Sequence, residues 1–214
     1  MRPPSRTSLF AAARLWDHAA VAAALAQAPE LATASDPQGR TALHLACAVK
    51  PQSSAQLAEP NGLKTVTALL AAGADLEGVV PMDEDEGDFR ATPLWYAVAR
   101  GENMPLVAFL LRRGANASHS LWAAVWRDDE AMCRALLKTK PALDLQAHGE
   151  TPIYYAARLQ RLKTLGLLID AGADPCIADP AGHDAVDIAR ARRLPAALIE
   201  RLALLKQRKQ NSGP

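Results

Sequence analysis

The chain has 214 residues, half of them apolar and only 5% aromatic, with 24 Lys and Arg against 23 Asp and Glu for a net charge of +1. That balance excludes the broad basic footprint of a nucleic-acid binder, and no apolar run approaches the roughly 18 residues of a membrane-spanning helix. Three cysteines without a CxxC pair cannot build a complete disulfide framework. Cys47, Cys133 and Cys176 are therefore read as reduced, packed thiols in a reducing compartment.

Residues 1–6 are expected to be disordered. Ser8-Leu-Phe-Ala-Ala-Ala13 and Ala19-Ala-Val-Ala-Ala-Ala-Leu25 predict two helices with a polar break at Trp16-Asp17-His18. A basic start and an alanine run ending at Ala26-Gln-Ala28 have the outline of a secretory leader. Arg14, Asp17 and His18 interrupt that run, which favours a folded cap. Gly39-Arg40-Thr41 opens a second helical pair. Its halves are separated by Lys50-Pro-Gln-Ser-Ser-Ala-Gln-Leu-Ala-Glu-Pro-Asn61, about eleven residues more than the other pairs need. After Gly73-Ala-Asp75, the stretch from Gly78 to Phe89 adds about seven more and carries Asp83, Glu84, Asp85, Glu86 and Asp88. This run lacks EF-hand spacing. It reads as a solvated acidic finger, or as one that docks a basic partner or weakly holds a divalent cation through oxygen ligands.

The third pair, Thr92 to Asn116, has one extra residue, placed near Asn103-Met104-Pro105. The fourth, with helices Ser120–Trp126 and Glu130–Leu137, follows a shortened connection and has Pro141 in place of a Gly-Ala stop. The fifth is the most complete. Gly149 suits a tight turn, Thr151 and Pro152 open a helix, Leu165-Gly-Leu-Leu-Ile169 forms a second, and Gly172 ends it. The sixth starts at the N-cap Asp184 and closes with Leu198–Leu205 and a basic polar tail, 206–214. Helix starts thus fall at Thr7, Thr41, Thr92, His119, Thr151 and Asp184, at intervals of 34, 51, 27, 32 and 33.

Thr41-Ala-Leu-His-Leu-Ala46, Thr92-Pro-Leu-Trp-Tyr-Ala97 and Thr151-Pro-Ile-Tyr-Tyr-Ala156, with stops at Gly73-Ala-Asp75, Gly114-Ala-Asn116 and Gly172-Ala-Asp174, resemble the ankyrin repeat. The resemblance covers nearly the whole chain. It implies an all-α, ankyrin-repeat solenoid of stacked helix-turn-helix units with hairpin finger loops. Its repeats are expected near 7–38, 39–77, 90–117, 118–147, 148–178 and 179–205, in one domain with insertions at 51–61 and 78–89 and the outer repeats as caps.

It further implies a non-enzymatic protein-binding module of the adaptor, inhibitor or immunity type, whose first helices line a groove extended by the fingers. Carried over in register, the groove positions are Trp95, Trp122 and Tyr154, with His44 in the same place in the second repeat; Arg100, Trp126, Arg127 and Arg158 lie one helical turn further on. Aromatic rings and arginines dominate binding energy at interfaces. The expected partner-binding set is therefore Trp95, Arg100, Trp122, Trp126, Arg127, Tyr154 and Arg158, with Asp83, Glu84, Asp85 and Glu86 on the acidic finger. Tyr96 and Tyr155 fall on a normally buried leucine position and are read as core. His44, His119, His148 and His183 are read as turn hydrogen-bonders. No P-loop, GxGxxG, HExxH or Gly-x-Ser-x-Gly is present. The chain is expected to be a monomeric bacterial protein without cofactor or metal. It should bind another protein, not nucleic acid or membrane, in the cytoplasm. A small-ligand sensor, or a secreted effector that binds host proteins, is the alternative function, and secretion or the periplasm the alternative location.

Overall fold

A computed structural model describes residues 3–52, 57–81 and 90–211. The acidic run Asp83–Asp88 and part of the 51–61 insertion lie outside them. The chain divides into two compact units, one running up to Asn116 and the other from Ala117 onward.

The first unit holds α1 (Arg6–Arg14), α2 (His18–Gln27), α3 (Ala42–Cys47), α4 (Glu59–Ala71), α5 (Pro93–Tyr96) and α6 (Met104–Arg112). The second holds α7 (Leu121–Arg127), α8 (Glu130–Leu137), α9 (Pro152–Arg158), α10 (Leu162–Ala171), α11 (Ala185–Ala191) and α12 (Ala196–Asn211). A two-residue antiparallel ladder, β1 (Val80–Pro81) with β2 (Arg90–Ala91), forms the foot of the finger in the first unit.

Polar caps set where the helices start. Thr92 Oγ1 accepts from the Trp95 N–H, Asp17 from Ala20, Asn103 from Leu106, Asp129 from Met132 and Asp184 from Val186 and Asp187. Each cap supplies an acceptor for an N–H that the first turn leaves unpaired. The cores are aliphatic, as the composition requires. In the second unit Val125, Ile153, Leu165, Leu168, Val186 and Leu202 pack together, with alanines between them that let the helices approach closely.

In the first, third, fourth, fifth and sixth repeats a left-handed residue reverses the chain between the two helices. Trp16, Glu102, Asp128, Gln160 and Arg193 all have φ between 48° and 56°. The N–H after it returns to a carbonyl five residues earlier: Asp17 to Ala12, Asp129 to Ala124, Arg161 to Ala156 and Leu194 to Ala189, at 2.8–3.0 Å. In the third repeat Asn103 reaches back six residues, to Ala97. There α5 continues as a π-helical turn, Ala97–Gly101. The extra residue expected near 103–105 is therefore absorbed inside the first helix, as π-bulges absorb single insertions. Gly101 makes the close approach possible, since a Cβ there would lie 2.5 Å from the Cys47 carbonyl oxygen.

The exits follow a second rule. Gly73, Gly114 and Gly172 adopt φ of 81–91°, and the next residues, Ala74, Ala115 and Ala173, donate to the Leu69, Leu110 and Leu168 carbonyls at 3.0–3.1 Å. In the fourth repeat Lys140 takes the glycine's place at φ 54°, and Pro141 has no N–H to complete the second bond. Pro141 thus replaces the alanine of the stop, and Lys140 replaces the glycine. Lys140→Gly is expected to raise stability by about 0.5–1 kcal/mol, because relief of the left-handed Cβ outweighs the extra backbone entropy glycine loses on folding. Urea denaturation of the two proteins checks this; an unchanged or lower midpoint would contradict it.

The insertion in the second repeat lengthens α4 at its start. Glu59–Gly62 form the added turn, and Gly62 faces the Trp16 indole, which a Cβ would meet at 2.7 Å. At the other end α12 runs on to Asn211, so the basic tail is helical that far. Lys206 on it pairs with Asp184, the cap of α11. No described helix is long and apolar enough to cross a membrane.

Candidate functional site

In the first unit His44 is a buried structural link. The Thr41 N–H donates to its Nδ1 at 3.1 Å, and the Thr41 hydroxyl lies 2.9 Å from the same nitrogen. A ring nitrogen that accepts from a backbone N–H carries no proton, so the proton sits on Nε2 and is donated to the Gly78 carbonyl, 2.9 Å away. The imidazole therefore ties its own helix start to the foot of the next finger, the turn-bonding role read for it in the sequence. Burial holds its pKa below the ordinary imidazole value. The folded state resists a proton that the unfolded chain accepts, so this contribution is complete above about pH 6.5 and is lost as pH falls below it. Stability is expected to fall as pH is lowered from about 6.5, and less steeply in His44→Gln; equal slopes in the two proteins would contradict the assignment. Carboxylates held low, such as Asp179 by its hydroxyl donor Tyr154, keep their contribution through this range and lose it only at more acidic pH.

Trp95 stands at the equivalent position in the third repeat and is 7% exposed. Its ring meets that of Tyr96 edge-on at 5.3 Å, and Tyr96 in turn meets His44 at 5.4 Å. Tyr96, read as core, is half-buried, and Arg100 is exposed.

The second unit builds a longer chain of contacts. Trp122 is 7% exposed, and its ring lies 4.9 Å from that of Tyr155. The Arg158 guanidinium sits over the Tyr155 ring, 5.2 Å from its centroid and within cation–π range. The same guanidinium grips Glu150 through two contacts, at 2.7 and 2.9 Å. The bond to Glu150 raises the already high pKa of Arg158. Tyr155, also read as core, is thus a half-buried platform between an indole and an arginine. Its spacing to Arg158 puts the two on one helix face, so the pair was visible in the sequence once that face was considered.

Tyr154 is 3% exposed and donates its hydroxyl to Asp179 at 2.6 Å. Asp179 also accepts from the Ala181 and His183 N–H groups, so the tyrosine pins the turn before α11 much as His44 pins Gly78. Burial and the Asp179 carboxylate both push the phenol pKa upward. Trp95, Trp122 and Tyr154, expected on the open groove, therefore lie beneath the surface.

Trp126 and Arg127 lie at the far end of α7 and are open to solvent. The indole of Trp126 is 49% exposed. Asp128 turns away from them and accepts both the N–H and the hydroxyl of the buried Thr164 at 3.0 Å, capping α10 from the preceding repeat. Cys47 and Cys133 are buried, Cys176 is half-buried, and all three are free thiols. Burial pushes the Cys133 thiol up to about 12 and the Cys47 thiol higher still, so neither forms a thiolate near neutral pH. Among the described residues no group of His, Cys, Asp and Glu is arranged to hold a metal ion.

Comparison with known proteins places this geometry. Three copies of a family model described as ankyrin repeats match residues 94–179, and a single ankyrin-repeat model matches residues 38–79. A crystal structure of an ankyrin repeat domain from Acinetobacter baumannii AYE is similar at a TM-score of 0.69 and 24% identity, covering 95% of this chain and 99% of that one. A chain in the complex of the predatory endopeptidase Bd0816 from Bdellovibrio bacteriovorus with immunity protein Bd3460 is similar at 0.64 and 22%, covering 94% and 98%. The ankyrin repeat protein EF0377 is similar at 0.62 and 21%, covering 94% and 96%. At these identities the likeness concerns the fold. The phosphocholine transferase AnkX of Legionella pneumophila is 28% identical over 139 residues, which is 59% of this chain but only 14% of that protein.

Proposed function

The chain belongs to the ankyrin-repeat family, a scaffold for protein–protein interaction, and we propose that it acts as a non-enzymatic binder of the adaptor, inhibitor or immunity type. The observation that carries this reading is Trp126, a half-exposed indole at a helix end, beside the exposed Arg127. Large rings and arginines held on rigid helices are the groups from which interface energy is usually built. The network beneath supports them. Trp122, Tyr155, Arg158 and Glu150 hold α9 in a single arrangement against α7, so a partner meets a preorganised surface and little ordering cost remains. Trp95 and Tyr154 act in this reading as floor, and Arg100 as an exposed contact of the first unit. The finger residues Asp83, Glu84, Asp85 and Glu86 would steer a basic patch of the partner electrostatically. The similarity to a chain in an endopeptidase–immunity complex favours the inhibitor or immunity variant of this role.

The test is a quantitative affinity capture from the native lysate. Wild type is run beside a Trp126→Ala/Arg127→Glu variant whose circular dichroism and melting match it. A partner enriched by wild type and lost by the variant is the expected result. A partner kept equally by both would move the site away from this helix end.

A further inference from the structure

Three helix-turn-helix edges lie side by side in the second unit, because α9 packs between α7 and α11. They carry Trp126-Arg-Asp-Asp-Glu130, Arg158-Leu-Gln-Arg-Leu-Lys163 and Arg190-Ala-Arg-Arg-Leu-Pro195. The carboxylates among them are engaged. Asp128 holds Thr164, Asp129 caps α8 and Glu130 pairs with Arg134 at 2.8 Å. Among the cations, Arg158 pairs with Glu150. Arg161, Lys163, Arg190, Arg192 and Arg193 make no side-chain ion pair among the described residues, and all but Arg161 are exposed. The Arg161 Nε is buried without a hydrogen-bond partner. Two large apolar side chains also stand open here: Trp126 at 49% and Leu162 at 38%.

Helix dipoles do not account for this excess of positive charge. Each edge joins the C-terminal end of one helix to the N-terminal end of the next, so their partial charges, about −0.5 and +0.5, oppose each other. A lone solvated charge run would not bring apolar side chains with it either.

We propose that this edge docks an extended acidic segment of a partner protein, with an apolar side chain seated on Trp126 and carboxylates on Lys163, Arg190 and Arg192. This rests on the protein-binding reading above and names the chemistry of the partner. Neighbouring helices lie about 8–10 Å apart, so the three edges span roughly 20 Å, or about six residues of extended chain at ~3.3 Å each. One carboxylate in about every three residues matches that step. Arginine forks favour carboxylates of fixed geometry. Single-stranded nucleic acid calls for a series of stacking rings, and only one ring is open here.

The probe is a twelve-residue peptide with Leu near one end and Glu at every third position. It is titrated against the full chain by isothermal calorimetry, beside its Gln counterpart and a twelve-nucleotide oligo-dT. The Glu peptide is expected to bind, to weaken as salt is raised, and to lose at least tenfold in affinity in Lys163→Glu/Arg190→Glu/Arg192→Glu. The milder Gln triple variant should lose less, with melting unchanged. Binding of the Glu peptide no tighter than the Gln peptide, equal affinity in the reversed variant, or tighter oligo-dT binding would each overturn the proposal. A lysate partner kept by the reversed variant but lost by Trp126→Ala/Arg127→Glu would refute the acidic segment and leave the protein-binding reading standing.

Discussion

Trp16→Ala is expected to cost about 3–5 kcal/mol of stability, the range for emptying a buried tryptophan site. The ring is 1% exposed, and its Nε1 donates to the Ala46 carbonyl at 2.9 Å, linking the turn of the first repeat to α3. Its other side lies against Gly62, in the turn that the second-repeat insertion adds to α4. Truncation would leave a cavity and a carbonyl without its donor. Gly62→Ala attacks the same contact from the opposite side by overpacking, with an expected cost of about 1–3 kcal/mol. Trp16 also sits at φ 52°, where a Cβ is strained, so Trp16→Gly is expected to recover about 1 kcal/mol relative to Trp16→Ala. Urea denaturation gives the ranking, and hydrogen exchange should show the loss concentrated in α1–α4. Repeat arrays are held by nearest-neighbour contacts, so the end of the chain can open separately. A Trp16→Ala protein within 1 kcal/mol of wild type would show that the indole contributes little.

Trp126→Ala is expected to act on binding and to spare the fold. With the ring half in solvent, stability should stay within about 0.5 kcal/mol of wild type. Binding to the captured partner should weaken by about 2–4 kcal/mol, roughly 30- to 1,000-fold, the range for a tryptophan at the centre of an interface. Trp16, Trp95 and Trp122 are buried, at 1%, 7% and 7%, so emission that is sensitive to external quenchers should come chiefly from Trp126. Loss of that signal on adding the partner would place the ring in the contact directly. A full-affinity variant, or an indole that stays quenchable in the complex, would remove Trp126 from the interface.

The residues that make the repeats were legible in the sequence because they act locally. A threonine or aspartate caps the helix that follows it, and a glycine supplies the left-handed stop at its own position. Aliphatic residues at helical spacing face their neighbours whatever the rest of the chain does. Thr92, Thr151, Asp184, Gly73, Gly114 and Gly172 therefore play in three dimensions the parts their positions suggested. The turn-bonding role of His44 was likewise legible, through Thr41 and the repeat pattern.

Tertiary structure alone decided where the aromatic rings end up. Trp95, Trp122 and Tyr154 occupy one register position, yet their exposure depends on what the adjoining helices and turns place over them. Tyr154 is drawn down by Asp179, 25 residues away, while Tyr155 is left as the half-open platform for Arg158. The same holds for the extra residue of the third repeat. Residue counting gave its presence, but its place within Ala97–Gly101 follows from the approach of Gly101 to the Cys47 carbonyl in the preceding repeat. Local propensity is short-ranged and can be read one segment at a time. Exposure and strain are set by contacts between segments, and those exist only once the helices have packed.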